Sequence, residues 1–194
     1  MKKKYQITIQ PTVEPITKDE ARAHLRNEGL TADDDYLDTL ITTSRKWVEN
    51  YLSRALITQT WVQSWDEVPE NAVFKLAVNP LINVITFNYY DENGIEQTYT
   101  TFQTDRQSDI TILCPNYNTT FPSVQLGKLN CINITFTCGY GSLASDVPSD
   151  IKHAIKILLA YFYDENRGGV SMNGVIQPPK IVEYLLTNYR LTGL

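Results

Sequence analysis

The chain has 194 residues, a formal charge of -5, 42% hydrophobic and 20% charged residues, a balance that excludes a disordered polypeptide. Its acidity gives no general footprint for gripping nucleic acid, because such binding rests on neutralised phosphates. The length suits one domain, or one domain with a large insertion. Met1 to Lys4 has the basic start of an export signal, but YQITIQPT alternates and never forms the roughly 7–15-residue apolar run that must follow. No segment approaches the roughly 18 consecutive apolar residues of a membrane span, so a soluble chain is expected. Cys114, Cys131 and Cys138 are odd in number and lack C-x-x-C spacing, which fits reduced thiols packed as small apolar fillers in strands.

Tyr5, Ile7 and Ile9 alternate with polar neighbours and predict a short strand or extended arm ending at Pro11. Thr17 followed by Glu20 is a capping box, in which hydroxyl and carboxylate satisfy amides that the first turn leaves unpaired. It opens a helix over about 18–27 that Gly29 stops. The longest helical period follows. Leu37, Leu40, Ile41, Ser44, Trp47, Val48, Tyr51 and Leu52 share one face and predict a helix over about 34–55. The opposite face is wet, with Asp33, Asp34 and Asp35 at the start and Arg45, Lys46 and Arg54 in the second half, complementing the macrodipole.

After Arg54 the period changes from helical to alternating, and 57–138 reads as a run of strands. Thr58, Thr60 and Val62 face away from Gln59, Trp61 and Gln63, and Phe74, Leu76 and Val78 alternate before Asn79-Pro80. The strongest hairpin has ITFNYY and IEQTYT flanking Asp91 to Gly94, since Asn-Gly supplies the positive φ of a reversal. Strands follow around 110–113 and 130–138, the second with Ile132, Ile134 and Phe136 on one face. Between them Pro115 to Lys128 is polar and predicts an exposed loop. Gly139-Tyr140-Gly141 then breaks the strands. Pro148, Ser149 and Asp150 start a helix over about 148–166 whose face of Ile151, Ala154, Ile155, Leu158, Leu159 and Phe162 is widened by Ile157, Tyr161 and Tyr163. Apolar nearly all round, it should be the more central long helix. Gly168-Gly169 opens a segment without apolar period, expected to be mobile, and a last helix over about 180–190 turns Ile181, Val182, Leu185, Leu186 and Tyr189 inward. Helices, strands, then helices, with no βαβ alternation, predict an α+β fold. It is a small helical bundle with a β-rich insertion between the second and third helices.

No catalytic set emerges. His24 and His153 have no partner at metal-ligand spacing, and Asp33 to Asp35 lack the glycine and distal glutamate of a calcium loop. Gly139-Tyr140-Gly141 belongs to no phosphate-cradling or nucleophile motif and reads as a strand-to-helix turn. Trp61, Trp65, Tyr89, Tyr90, Tyr99 and Tyr117 lie among Asn, Gln and Thr, a company that could stack on sugars, although strands favour aromatics for packing alone. No cofactor, metal or enzymatic role is indicated.

Several stretches together resemble the head-tail connector, or adaptor, proteins of tailed bacteriophages and prophages. They are Ile16 to Arg26 (ITKDEARAHLR), the long helix running into Arg54 to Trp61 (RALITQTW), and Thr135 to Gly141 (TFTCGYG) leading to Val147-Pro148. The helix Ile151 to Arg167 and the tail with Pro178, Pro179, Leu185, Leu186, Tyr189 and Arg190 complete the resemblance. It implies a non-catalytic virion protein of the head-tail junction, made in the host cytoplasm and assembled as a homo-oligomeric ring. The ring would dock under the portal protein and receive the next connector or tail-completion protein, with DNA passing through unbound. The partner surfaces expected are Gly168, Gly169, Ser171, Met172, Asn173 and Gly174, in the segment without apolar period, and Asn116, Tyr117 and Asn118, in the polar loop. The alternative is a soluble carbohydrate- or ligand-binding module using Trp61, Trp65 and the tyrosine-rich hairpin.

Overall fold

The computed structural model describes residues 4–26, 33–107, 110–166 and 178–191. Among them the order is β1 (Tyr5–Ile9), α1 (Lys18–Leu25), α2 (Asp34–Leu52), β2 (Gln59–Trp65), β3 (Phe74–Lys75), β4 (Leu81–Tyr90) and β5 (Glu96–Thr98). It continues through β6 (Phe102–Asp105), β7 (Ile112–Pro115), β8 (Ile132–Cys138), α3 (Ser149–Asn166) and α4 (Lys180–Leu186). The fold is α+β. The chain divides into two compact units, one of Met1–Pro11, Thr58–Tyr140 and Leu191–Leu194, the other of Thr12–Ile57 and Gly141–Arg190.

In the helical unit, α1 begins with the capping box. The Glu20 amide donates to Thr17 Oγ1 at 3.1 Å, and the Thr17 amide donates to Glu20 Oε2 at 2.8 Å. The helix ends at Leu25, where Arg26 turns left-handed with φ 55°; Gly29 lies outside the described residues. Helix α2 buries Leu37, Leu40, Ile41, Ser44, Val48 and Leu52, as its period dictates. Trp47 and Tyr51 flank that stripe instead, half-buried and stacked on each other with ring centres 5.2 Å apart. The helix stops at Leu52, short of 55, because Ser53 takes the left-handed cap.

Arg45 departs from the expected wet face, being only 3% exposed. Its Nε donates to Glu14 Oε2 and its Nη1 to Glu49 Oε2, each at 2.7 Å. Glu14 also accepts from Thr42 Oγ1 at 3.0 Å, and Glu49 from the Leu56 amide at 3.0 Å. A buried guanidinium is sustained when such forked bonds to carboxylates replace its water.

Helix α3 packs on α1, α2 and α4, with Ile151, Ala154, Ile155, Leu158 and Leu159 fully buried. The Tyr163 hydroxyl donates to Asp33 Oδ2 at 2.8 Å, tying the far end of α3 to the start of α2. Helix α4 is followed by a 3-10 turn, Thr187–Tyr189. Val182 and Leu186 face inward, but Ile181, expected inside, is 49% exposed.

The β unit holds a five-stranded sheet in the order β1-β2-β8-β4-β5 and a three-stranded sheet in the order β3-β7-β6, all antiparallel. Strand β1 pairs with β2, Tyr5 opposite Gln63 and Ile7 opposite Trp61, so the chain's first strand joins the sheet built by the middle of the sequence. Strand β8 sits between β2 and β4, with Phe136 opposite Trp61 and Val84, and Ile134 opposite Gln63 and Phe87. Between the sheets lies an aromatic cluster centred on Phe87, which is 1% exposed. Its ring centre is 5.1 Å from Phe74, 5.3 Å from Tyr99, 5.4 Å from Phe102 and 5.6 Å from Phe121. Gln63 also points inward, its amide donating to the Lys75 carbonyl at 3.0 Å and accepting from the Ala77 amide at 2.8 Å. It thereby couples β2 to the segment around β3. The other face of the larger sheet carries cross-strand rows without a charge, such as Ser64, Asn133 and Asn88, or Val62, Thr135 and Thr86.

Candidate functional site

Asn116, Tyr117 and Asn118 form one exposed turn in the β unit. The Asn116 amide donates to the Thr101 carbonyl at 3.1 Å, and the Asn116 carbonyl accepts from the Thr119 amide at 3.0 Å and its hydroxyl at 2.7 Å. Asn118 takes φ 58°, a conformation that asparagine tolerates, and Tyr117 is left 88% exposed. The loop that carries them is not exposed throughout. Phe121 enters the aromatic cluster, 4.7 Å from Tyr99 and 5.1 Å from Phe74, and pins the segment to the core. Downstream, Leu126 and Leu129 are 94% and 74% exposed. Leu-Gly-Lys-Leu within a polar loop was the available signal for that second exposed turn. Gly168, Gly169, Ser171, Met172, Asn173 and Gly174 lie outside the described residues.

The helical unit has a groove of about 490 Å³ lined by Val13, Glu14, Ile16, Thr17, Lys18, Asp38, Ile41, Thr42, Leu143 and Ala144. Its lining comes from three separated stretches, so no local pattern announces it. Lys18 pairs with Asp38 at 2.8 Å. Nothing here aligns a nucleophile with a base, and the arrangement is suited to receiving apolar side chains.

The two histidines meet across α1 and α3 with ring centres 6.3 Å apart, edge to face. Partial burial, then the neighbouring His153 and Lys156, push the His24 imidazole below its ordinary pKa. Among the described residues no group of three or more His, Cys, Asp or Glu gathers into a metal site. Gly141 is required sterically, since a Cβ there would collide with the Asp146 carboxylate, which accepts from the Leu143 amide at 2.9 Å. The glycine turn therefore serves the chain reversal before α3. The aromatics of the alternative reading are engaged in packing: Trp61 against Tyr5 at 5.8 Å, Trp65 against Phe74 at 5.3 Å, and Tyr89 against Tyr99 at 6.5 Å. Among the described residues no helix is long and apolar enough to cross a membrane.

No protein-family model matches the chain, and no curated protein sequence matches it. Solved structures do. A chain from the neck of the empty gene transfer agent (GTA) particle, computed with C6 symmetry, matches at 20% identity, covering 98% of this chain and 96% of that one with TM-score 0.81. A chain of the native GTA virion matches at 20% identity over 98% and 96% with TM-score 0.74. A chain from the neck of the native particle, computed with C12 symmetry, matches at 19% identity over 97% of each with TM-score 0.64. At these identities the likeness is one of fold, and it runs the length of the chain.

Proposed function

We propose that this chain is a structural neck protein of a phage-like particle, a connector that joins the head to the tail. The observation that carries the reading is the fold likeness to a GTA neck chain over 98% of this chain at TM-score 0.81. Partial likeness would implicate a shared module; likeness from end to end fits a shared architecture. In this role copies of the chain form a ring continuing the portal channel, with the portal protein on one side and the next connector or tail-completion protein on the other. The charge of -5 suits a conduit that should not hold its DNA. The surfaces assigned to partners are the turn Asn116 to Asn118 and the segment containing Gly168, Gly169, Ser171, Met172, Asn173 and Gly174.

Size-exclusion chromatography with light scattering, on the protein alone and mixed with its portal protein, tests the reading. A ring or a stable portal complex is expected. A chain that stays monomeric and ignores the portal would overturn it. Deleting 171–176 should leave the folded state intact and weaken portal binding at least tenfold, since these residues show no apolar period with which to feed a core. Loss of folding on that deletion, seen by circular dichroism, would refute the assignment.

A further inference from the structure

Three exposed apolar side chains stand at one end of the β unit. Leu126 and Leu129 come from the turn after Phe121, and Ile95, 57% exposed, comes from the hairpin between β4 and β5. The two turns are held against each other. The Gln125 amide donates to the Tyr90 carbonyl at 3.0 Å, and the Gln125 side chain lies so near Gly94 that an added Cβ would stand 3.4 Å from it. The Lys128 ammonium lies 4.0 Å from the centre of the Tyr90 ring. Each turn is also fixed on its own account. Asp91 Oδ1 accepts from the Asn93 amide at 2.9 Å and the Ile95 amide at 3.0 Å, and the Asn130 amide donates to Asp66 Oδ1 at 2.7 Å. Isolated exposed aliphatics are ordinary on a monomer, but three on a preformed platform make a surface that loses little conformational freedom on docking.

The charge around them is one-sided. Glu67 lines a small recess with Val124 to Leu129, and Glu92 and Glu96 lie on either side of Ile95 in the hairpin. All three are exposed, and none makes an ion pair among the described residues. Asp91 turns its carboxylate to backbone amides and to the Gln97 side-chain amide, 3.1 Å away. Lys4 is paired with Asp66, so of these residues Lys128 alone stands against Glu67, Asp91, Glu92 and Glu96.

We propose that this end of the β unit is a docking knob for a neighbouring protein of the particle, one that offers an apolar recess bordered by lysine or arginine. The inference rests on the neck reading above. The carboxylates repel a nucleic-acid backbone. A second copy is the poorer occupant, because the apolar groove of the helical unit has Lys18 as its one lining cation, already paired with Asp38 and accompanied by Glu14. In such a contact the apolar centre supplies affinity, while the charged rim selects the partner and speeds encounter.

Surface plasmon resonance with purified portal protein and, separately, with the purified next connector tests it. Leu126→Ser with Leu129→Ser should weaken binding to one of the two about tenfold or more, while circular dichroism and the mass of the chain's own assembly stay as in the parent. Glu67→Gln with Glu92→Gln and Glu96→Gln should slow that association about threefold or more and flatten its decline between about 50 and about 300 mM salt. Unchanged binding of both proteins by the serine variant, or a salt dependence that survives the glutamine changes, overturns the knob. So does an assembly that falls apart in the serine variant, which would make a second copy the occupant. Each of these outcomes leaves the neck reading standing. A parent chain that binds neither protein removes the neck reading, and the knob falls with it.

Discussion

Arg45 is held by Glu14 and Glu49, and its side chain is 4% exposed against 30% and 14% for theirs. Removing the guanidinium takes away, at one stroke, the donor that Glu14 and Glu49 share, while the half-buried Glu49 stays tied to the Leu56 amide. Breaking a buried pair from one side typically costs about 3–5 kcal/mol. Arg45→Ala should therefore lower the unfolding free energy by about that much, read from urea denaturation; a loss below about 1 kcal/mol would place the triad in the surface class. His24 makes a subtler demand. Its pKa is depressed in the folded state from an ordinary 6.5 by burial first, then by His153 and Lys156, while the nearby Lys152 is paired with Glu20. The unfolded chain then binds the proton more readily than the folded one, so stability is complete above about pH 6.5 and declines as pH falls through the folded value. His24→Gln should flatten that decline between about pH 7.5 and about pH 5.5, measured as urea midpoints. An unchanged slope would show that His24 carries none of it.

Among the elements, Phe87 is the residue on which the two sheets of the β unit converge, touching rings from β3, β6 and the 115–130 loop. Truncating such a side chain removes its transfer energy and leaves a cavity, a loss of about 3–5 kcal/mol. Phe87→Ala should show that loss in denaturant unfolding, whereas a variant within about 1 kcal/mol of the parent would mean that the cluster collapses to fill the space. Where an element is specified by its own residues, the sequence announces it: the capping box marks α1, and the apolar stripe marks α2. Pairing across distance is another matter. Strand β8 lies beside β4 and β2 through contacts made more than 40 residues away, and no local period encodes that choice. The four residues of β6, Phe102–Asp105, are too few for alternation to declare them. The candidate surfaces divide the same way. Tyr117 could be placed outside from the polarity around it, but the burial of Phe121 depends on Phe74, Phe87 and Tyr99, and that of Arg45 on Glu14, all distant in sequence. The groove exists only once 13–18, 38–42 and 143–144 have come together.

At the scale of the molecule, each unit is assembled from segments separated in sequence, and each closes a loop for the other. Ile57 and Gly141 form a parallel bridge inside the helical unit, and the 58–140 stretch leaves and returns between them. If the β unit unfolded alone, the helical unit would still hold the ends of a roughly 80-residue loop together, at an entropic cost of about 4 kcal/mol. That is comparable to the total stability of many small domains, about 5–15 kcal/mol, so connectivity favours opening both units together. We therefore expect one cooperative transition. Native-state hydrogen exchange should give the slowest amides of β8 and of α3 the same opening free energy, and Phe87→Ala should lower both by the same amount. A drop confined to β8, with α3 unchanged, would mean that the units open independently and that the chain behaves as two domains under one connectivity.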